Sequence, residues 1–387
     1  MAVANRSAPA IEVAAALVAL AAWVMAGAPG GSRLIAASAT GSRVARLGWG
    51  LAAFALASLL WTIDRAATLR ALVQMTPVVV AGVALTALAP RLWTREAAAR
   101  WLWAGLMIAA ALILIEGLWS PALPLRRLVK ARAYLPDLKR SATPLAILVF
   151  PALALMAPAA GARGRRSVAL GVVLILLAAA AIVVAQSGSA MLGLLAGLCV
   201  YGLARAAPRL AAGALAGAVL VALVCAPLLS PVMTYARGGF AFLERFHASH
   251  RLSIWRAFGE RVWERPWLGH GFGASDKVWA LPGPDGAPDI TARLVIENIH
   301  PHSQPLQIWV ELGALGAALT ALLVVLLALR FMRDDPRRAA PRLAALAAAF
   351  ATAIASFGIW QAWWGAVLGL AAAFFAVERA SASRRIE

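Results

Sequence analysis

The sequence predicts an all-α fold: a polytopic membrane bundle of about eleven to twelve helices, with one long segment held outside the bilayer. Three observations predict it. Of the 387 residues, 62% are hydrophobic, too many for a soluble globular domain. The apolar residues gather in runs close to the roughly 20 that a helix needs to cross a bilayer. The basic residues, which carry the net charge to +19, sit in short loops between those runs. That placement marks the cytoplasmic side of a membrane protein and argues against nucleic acid as a partner.

The runs fall near 11–28, 46–63, 68–89, 99–117, 141–158, 167–185, 189–204, 210–229, 304–329, 342–358 and 361–377. The last two could form one broken hairpin. The stretch 29–45 is too polar to count as a span, although a poorly formed helix fits there. The first run lacks a signal-peptide cleavage pattern and reads as a retained helix. Three regions follow: an N-terminal bundle over 1–229, an external segment over 230–303, and C-terminal helices with a short tail over 304–387. No soluble domain is expected before or after the bundle. Cys199 and Cys225 lie in apolar runs and read as small packing residues.

Alternate loops agree in charge. Arginines follow the first, third, fifth, seventh and ninth runs and end the chain, which places those loops in the cytoplasm and 230–303 outside, in the periplasm of a cell with an outer membrane. The loop 118–140 departs from the rule. It should be external, yet it carries Arg126, Arg127, Lys130, Arg132, Lys139 and Arg140 against Asp137 alone. Either a span is misplaced there, or the loop meets a multiply charged anion such as a phosphate or pyrophosphate head group.

The external segment concentrates the chemistry. As a helix, 251–264 puts Leu252, Ile254, Trp255, Phe258 and Val262 on one side. Arg256, Glu260 and Glu264 fall on the other, and the spacing favours a solvated Arg256 ion pair. Arg251 projects with the apolar side, where a cation needs an anionic partner, either a structural carboxylate or a ligand phosphate. Next comes Arg265-Pro-Trp-Leu-Gly-His-Gly-Phe-Gly273, whose glycines suit a tight turn and whose spacing does not fit a dinucleotide fingerprint. A structural role suits His270 between them. The Pro/Gly/Asp-rich stretch 281–290 is a surface loop, either a lid or an inert excursion.

His300-Pro-His302-Ser-Gln-Pro305 then enters the ninth run. Ser303 is placed to cap that helix, with Pro305 in its first turn. A helix N-terminus disfavours imidazolium, so either histidine could stay neutral and accept a proton. Both could instead be interfacial polar caps; zinc lacks an evident third ligand. Gln307 and Glu311 share one side of the helix. Glu311 lies about two turns in, where a carboxylate requires a partner or an aqueous cavity.

At these residues the chain resembles the O-antigen ligase family, which includes O-antigen polymerases and bacterial protein O-oligosaccharyltransferases. RLSIWRAF at 251–258, RPWLGHGFG at 265–273 and HPHSQPLQIWVELGALG at 300–316 carry the resemblance in that order. Weaker matches are SLLWTIDRAATLR at 58–70, LKRSATPLAIL at 138–148 and QSGSAMLGLLAG at 186–197. The resemblance implies a glycan transferase at the periplasmic face of the inner membrane. Its donor would be a glycan on undecaprenyl pyrophosphate and its acceptor a sugar hydroxyl of lipid A-core, with no cofactor or metal. It assigns His302 as the base, with His300 second, and gives the pyrophosphate to Arg251 and Arg140, with Arg256, Gln307 and Glu311 in support. Many relatives read Ser-Arg-Gly where this chain has Ser187-Gly188-Ser189. Arg126, Arg127 and Lys130 are the candidates for the missing cation. A polymerase or protein glycosyltransferase would share the donor. A lipid-linked glycan transporter is the rival of another class, but it would want charges lining mid-membrane, where only Glu12, Glu116 and Glu311 are found.

Overall fold

A computed structural model describes residues 7–26, 30–119, 136–157, 164–228, 249–281 and 300–383. Among them the chain is helical and has no strand. The helices are α1 (Ala8–Met25), α2 (Gly31–Thr40), α3 (Arg43–Ala57), α4 (Arg65–Leu92), α5 (Arg95–Trp119), α6 (Pro136–Met156), α7 (Arg165–Val184), α8 (Gly188–Ala206), α9 (Pro208–Cys225), α10 (Ser249–Glu264), α11 (Gln304–Phe331), α12 (Pro336–Ile354) and α13 (Ala362–Ser383). Ten helices among the described residues are long and apolar enough to cross a membrane. The protein is therefore a multi-pass helical membrane protein. The run at 342–358 forms α12, which begins earlier, at Pro336, and carries Arg337, Arg338 and Arg342; it is not among the ten. The polar stretch 29–45 does hold a helix, the short α2.

Although the most polar of the long helices, α12 is deeply enclosed. It packs on α8 through small residues: a side chain at Gly193 would strike Thr352 and the Ala348 carbonyl, and one at Gly197 would strike the Phe150 ring and come within 3.0 Å of the Ala344 carbonyl. Lipid gives helices no hydrophobic reason to associate, so such close backbone approach supplies dispersion contact instead. Its arginine end is neutralised: Arg342 bonds both Asp334 and Glu378. At the same end Arg95 caps α6, donating to the carbonyls of Leu155 at 2.9 Å, Ala154 at 3.0 Å and Ala157 at 2.7 Å. The basic loops after the third and ninth runs thus share one end of the bundle with the end of α6.

The opposite end is built on a break in α11. Gly313 has φ 63 and ψ −162, a conformation open essentially to glycine alone. In an unbroken helix Ala314 and Leu315 would donate to the carbonyls of Val310 and Glu311. Here the turn after α10 takes those places. His270 N–H donates to Val310 O at 2.8 Å and Gly271 N–H to Glu311 O at 2.9 Å, while Ala314 donates to Pro266 O at 2.8 Å and Leu315 to Trp267 O at 3.3 Å. The Val310 and Glu311 carbonyls and the Ala314 and Leu315 amides are thus all paired, as a membrane interior demands of backbone groups. A side chain at Gly269, φ 68, would collide with the Glu311 backbone. The turn is also fastened to the end of α3, with Ile63 N–H on His270 O at 2.9 Å and Phe272 N–H on Ser58 Oγ at 3.0 Å.

Candidate active site

Helix α10 lies across the entry of α11 with Ile254, Phe258 and Val262 buried against Leu306 and Val310, the face that the apolar spacing predicts. Trp263 and Trp309 fasten this pair to the end of α9, donating to Pro227 O at 3.2 Å and Leu223 O at 2.7 Å. Arg256 Nε meets Glu260 Oε1 at 3.1 Å on the exposed side, the solvated pair expected from spacing. It therefore points away from the packed face and takes no part in the cluster below. Arg251 belongs to α10, but its side chain lies outside the described residues, as do Arg126, Arg127, Lys130 and the loop 282–299.

His270 is buried. Its Nε2 is 2.9 Å from the Arg261 carbonyl, which can only accept, so that nitrogen carries the hydrogen and satisfies a carbonyl near the end of α10. Burial holds its pKa below the ordinary imidazole range, against the opposing pull of that hydrogen bond and of Glu264. The placement is that of a structural clasp.

Glu311 organises the floor of the site. Fully buried, it accepts from four donors: Gly273 N–H at 2.6 Å, Gln307 Nε2 at 2.8 Å, Trp360 Nε1 at 2.5 Å and the Ser275 hydroxyl. Gln307 in turn accepts the Ile359 N–H at 2.9 Å on its Oε1. This carboxylate therefore locks the glycine turn, α11 and the 355–361 turn together, the structural alternative of the two the sequence left open.

On that floor stand the histidines. His300 is buried and His302 half-buried, and their rings meet edge to face with centroids 4.3 Å apart. His302 has φ 52, a left-handed conformation that nothing in the sequence motif announces, and its N–H points at His300 Nδ1 at 3.3 Å. Burial, then the neighbouring His302 and Arg140, push the His300 pKa down to about 3. Arg140 reaches this group from α6, with its guanidinium 5.7 Å from the Phe357 ring centre. The expectation for Ser303 needs correction. It occupies the N-cap position of α11, but its side chain makes no capping bond; Gln307 N–H is met by the Ser303 carbonyl at 2.9 Å. The structure thus brings His300, His302, Gln307, Glu311 and Arg140 together, along with Phe357, Gly358 and Gln361, which no sequence signal singled out.

An apolar cavity of about 670 Å³ is lined at one end by Gln304, Pro305, Ile359 and Trp360 and runs between α4, α11 and α13 to Thr86 and Leu327. A second, of about 820 Å³, adjoins it along α3 and shares Met75, Val79 and Trp360. Among the described residues no group of three or more His, Cys, Asp or Glu side chains could hold a metal ion.

Fold and site together define a multi-pass helical membrane protein with a histidine pair and an arginine at one end of its bundle. Residues 172–321 match the family model described as O-Antigen ligase, so the family resemblance read from the motifs is shown over that segment. A protein of Rickettsia prowazekii named "Putative polysaccharide ligase" is 30% identical over 157 residues, 38% of this chain and 37% of the relative. One of the same name from Rickettsia typhi is 29% identical over 156 residues, with the same shares. The matches thus span little more than a third of these relatives' length. No solved structure matches the chain. The matched segment contains Arg251, His300, His302 and Glu311; Arg140, Phe357 and Gln361 lie outside it.

Proposed function

We propose that the protein transfers a glycan from undecaprenyl pyrophosphate to a sugar hydroxyl of lipid A-core, at the periplasmic face of the inner membrane. The observation that carries this reading is the meeting of the His300–His302 pair with Arg140 at one end of the bundle, next in sequence to Gln304 and Pro305, which line an apolar cavity. A lipid-linked donor needs that juxtaposition. Its hydrocarbon chain stays in an apolar slot while its charged head reaches reactive groups at the bundle's end.

In this reading His302, the more accessible of the two rings, takes the proton of the acceptor hydroxyl. The hydroxyl oxygen bonds to the donor's anomeric carbon as the bond from that carbon to the pyrophosphate oxygen breaks. Negative charge then collects on the leaving pyrophosphate. Arg140 and Arg251 meet it through charge-assisted hydrogen bonds, with Arg126, Arg127 and Lys130 as further cations. Glu311 and Gln307 serve by position: they hold the floor on which the histidines stand. No cofactor or metal takes part. Residues 230–303 act as the external segment that delivers Arg251 to the site.

The test is product analysis. Purified protein in lipid would receive an undecaprenyl-pyrophosphate glycan and lipid A-core, with and without chelator. Chelator-resistant glycosylated lipid A-core is expected. Chain extension of the donor, or glycosylated protein, would keep the chemistry and change the acceptor; no product of any kind would contradict the reading.

A further inference from the structure

Gln361 sits in the turn between α12 and α13. Its Oε1 accepts the Trp363 indole N–H at 2.6 Å. An indole nitrogen only donates, so this bond fixes the orientation of the amide. The oxygen is committed to Trp363 and the NH2 group faces His300 Nε2, at 3.5 Å. The other ring nitrogen of His300, Nδ1, faces the His302 backbone N–H at 3.3 Å. Both nitrogens of the ring therefore look at N–H groups. A neutral ring can accept from one of them and leaves a single N–H without an acceptor; an imidazolium accepts from neither and leaves two, with its charge unmet.

We propose that Gln361 is a positioning residue that denies His300 a second proton, so that an uncharged ring stands against His302. The consequence for chemistry rests on the proposed function. An imidazolium at His300, 4.3 Å from the His302 ring, would repel the proton His302 has to take. Among the described residues, the other groups bearing on His300 act in the same direction or are neutral. Arg140 from α6 is a cation whose charge disfavours a second one. From α11, Gln307 comes close through Gly358, and its Oε1 is occupied by the Ile359 N–H. The Glu311 carboxylate is taken up by its own four donors.

The test is a titration of the full chain in lipid nanodiscs with ring-labelled histidine. There are five histidines, and Asn in place of His300 identifies its signal. In the unsubstituted protein the His300 signal is expected to stay that of a neutral ring between about pH 5 and 8. In Gln361→Glu one carboxylate oxygen keeps the Trp363 bond and the other accepts from Nε2, so the midpoint should rise by at least about two pH units. Trp363→Phe frees the amide to turn its oxygen toward His300 and should move the midpoint the same way by less. A His300 that titrates near about pH 6.5 in the unsubstituted protein would overturn the proposal. So would a midpoint that neither substitution moves. Because the titration needs no turnover, a protein that transfers nothing would sink the functional reading without touching this result.

Discussion

The amide of His270 donates to the carbonyl of Val310 at 2.8 Å, taking the place that Ala314 would fill in an unbroken helix. Through that exchange the glycine turn after α10 becomes part of the α11 backbone. The histidine pair, about three helical turns before the break at Gly313, is thereby held by elements far apart in sequence.

The break should be intolerant of any side chain. Gly313→Ala asks a residue with a Cβ to adopt φ 63, ψ −162 and to press on the Trp267 carbonyl. The combined cost is expected to exceed about 3 kcal/mol. A thermal melt of the purified protein checks it; an unchanged melting temperature would mean that α11 can straighten.

Glu311→Gln is nearly isosteric yet should do harm. It turns an acceptor of four hydrogen bonds into a group whose own NH2 faces donors. A loss of about 1–3 kcal/mol is expected, from donors left without an acceptor. Transfer should fall with it, as the floor beneath the histidines loosens. The melt and the transfer rate together would show whether both move.

The pH dependence has a definite sign. The folded-state pKa of His300 is pushed down to about 3, and that of His270 is also lowered. The unfolded chain, with ordinary imidazoles near 6.5, binds protons first as pH falls. Stability contributed by the neutral folded rings is therefore present above about pH 6.5 and declines below it, down toward the folded value. His300→Gln should flatten part of that acid limb in melts recorded across the range; an unchanged slope would count against a buried, neutral His300.

The family resemblance sets Gly188 at a position where an arginine is expected. A Cβ there meets nothing within 4 Å, so a longer side chain has room. Gly193 packs on Thr352 and Gly197 on Ala344, so α8 runs antiparallel to α12. Its first residue thus lies toward the end leading to Phe357 and Arg140. Gly188→Arg should fold normally and lower the donor KM by roughly threefold to tenfold, as one more charge-assisted contact would. An unchanged KM would indicate that the phosphate charge is already met by other cations.

Local patterns made part of this legible. Apolar run length announced the spans, and spacing announced the packed face of α10 and the Arg256–Glu260 pair. Glycines placed the turn, and the flanking glycines of His270 suited the clasp it proved to be. The partner of that turn was hidden. Glu-Leu-Gly-Ala-Leu-Gly reads as a continuous helix until a second segment arrives to take its hydrogen bonds, and such pairing leaves no short-range signature. The meeting of Arg140 and Phe357 with the histidines is likewise a product of tertiary packing. Ser303 misled because a residue type favoured at caps says nothing about where its own hydroxyl turns.

The most direct measurement is the rate of glycan transfer by His302→Ala beside the unsubstituted protein, with matched melts to show that both are folded. The account predicts a loss of about 10²–10⁴-fold, the contribution of a general base, with the fold intact. Transfer at the unsubstituted rate would contradict it and remove His302 from the chemistry.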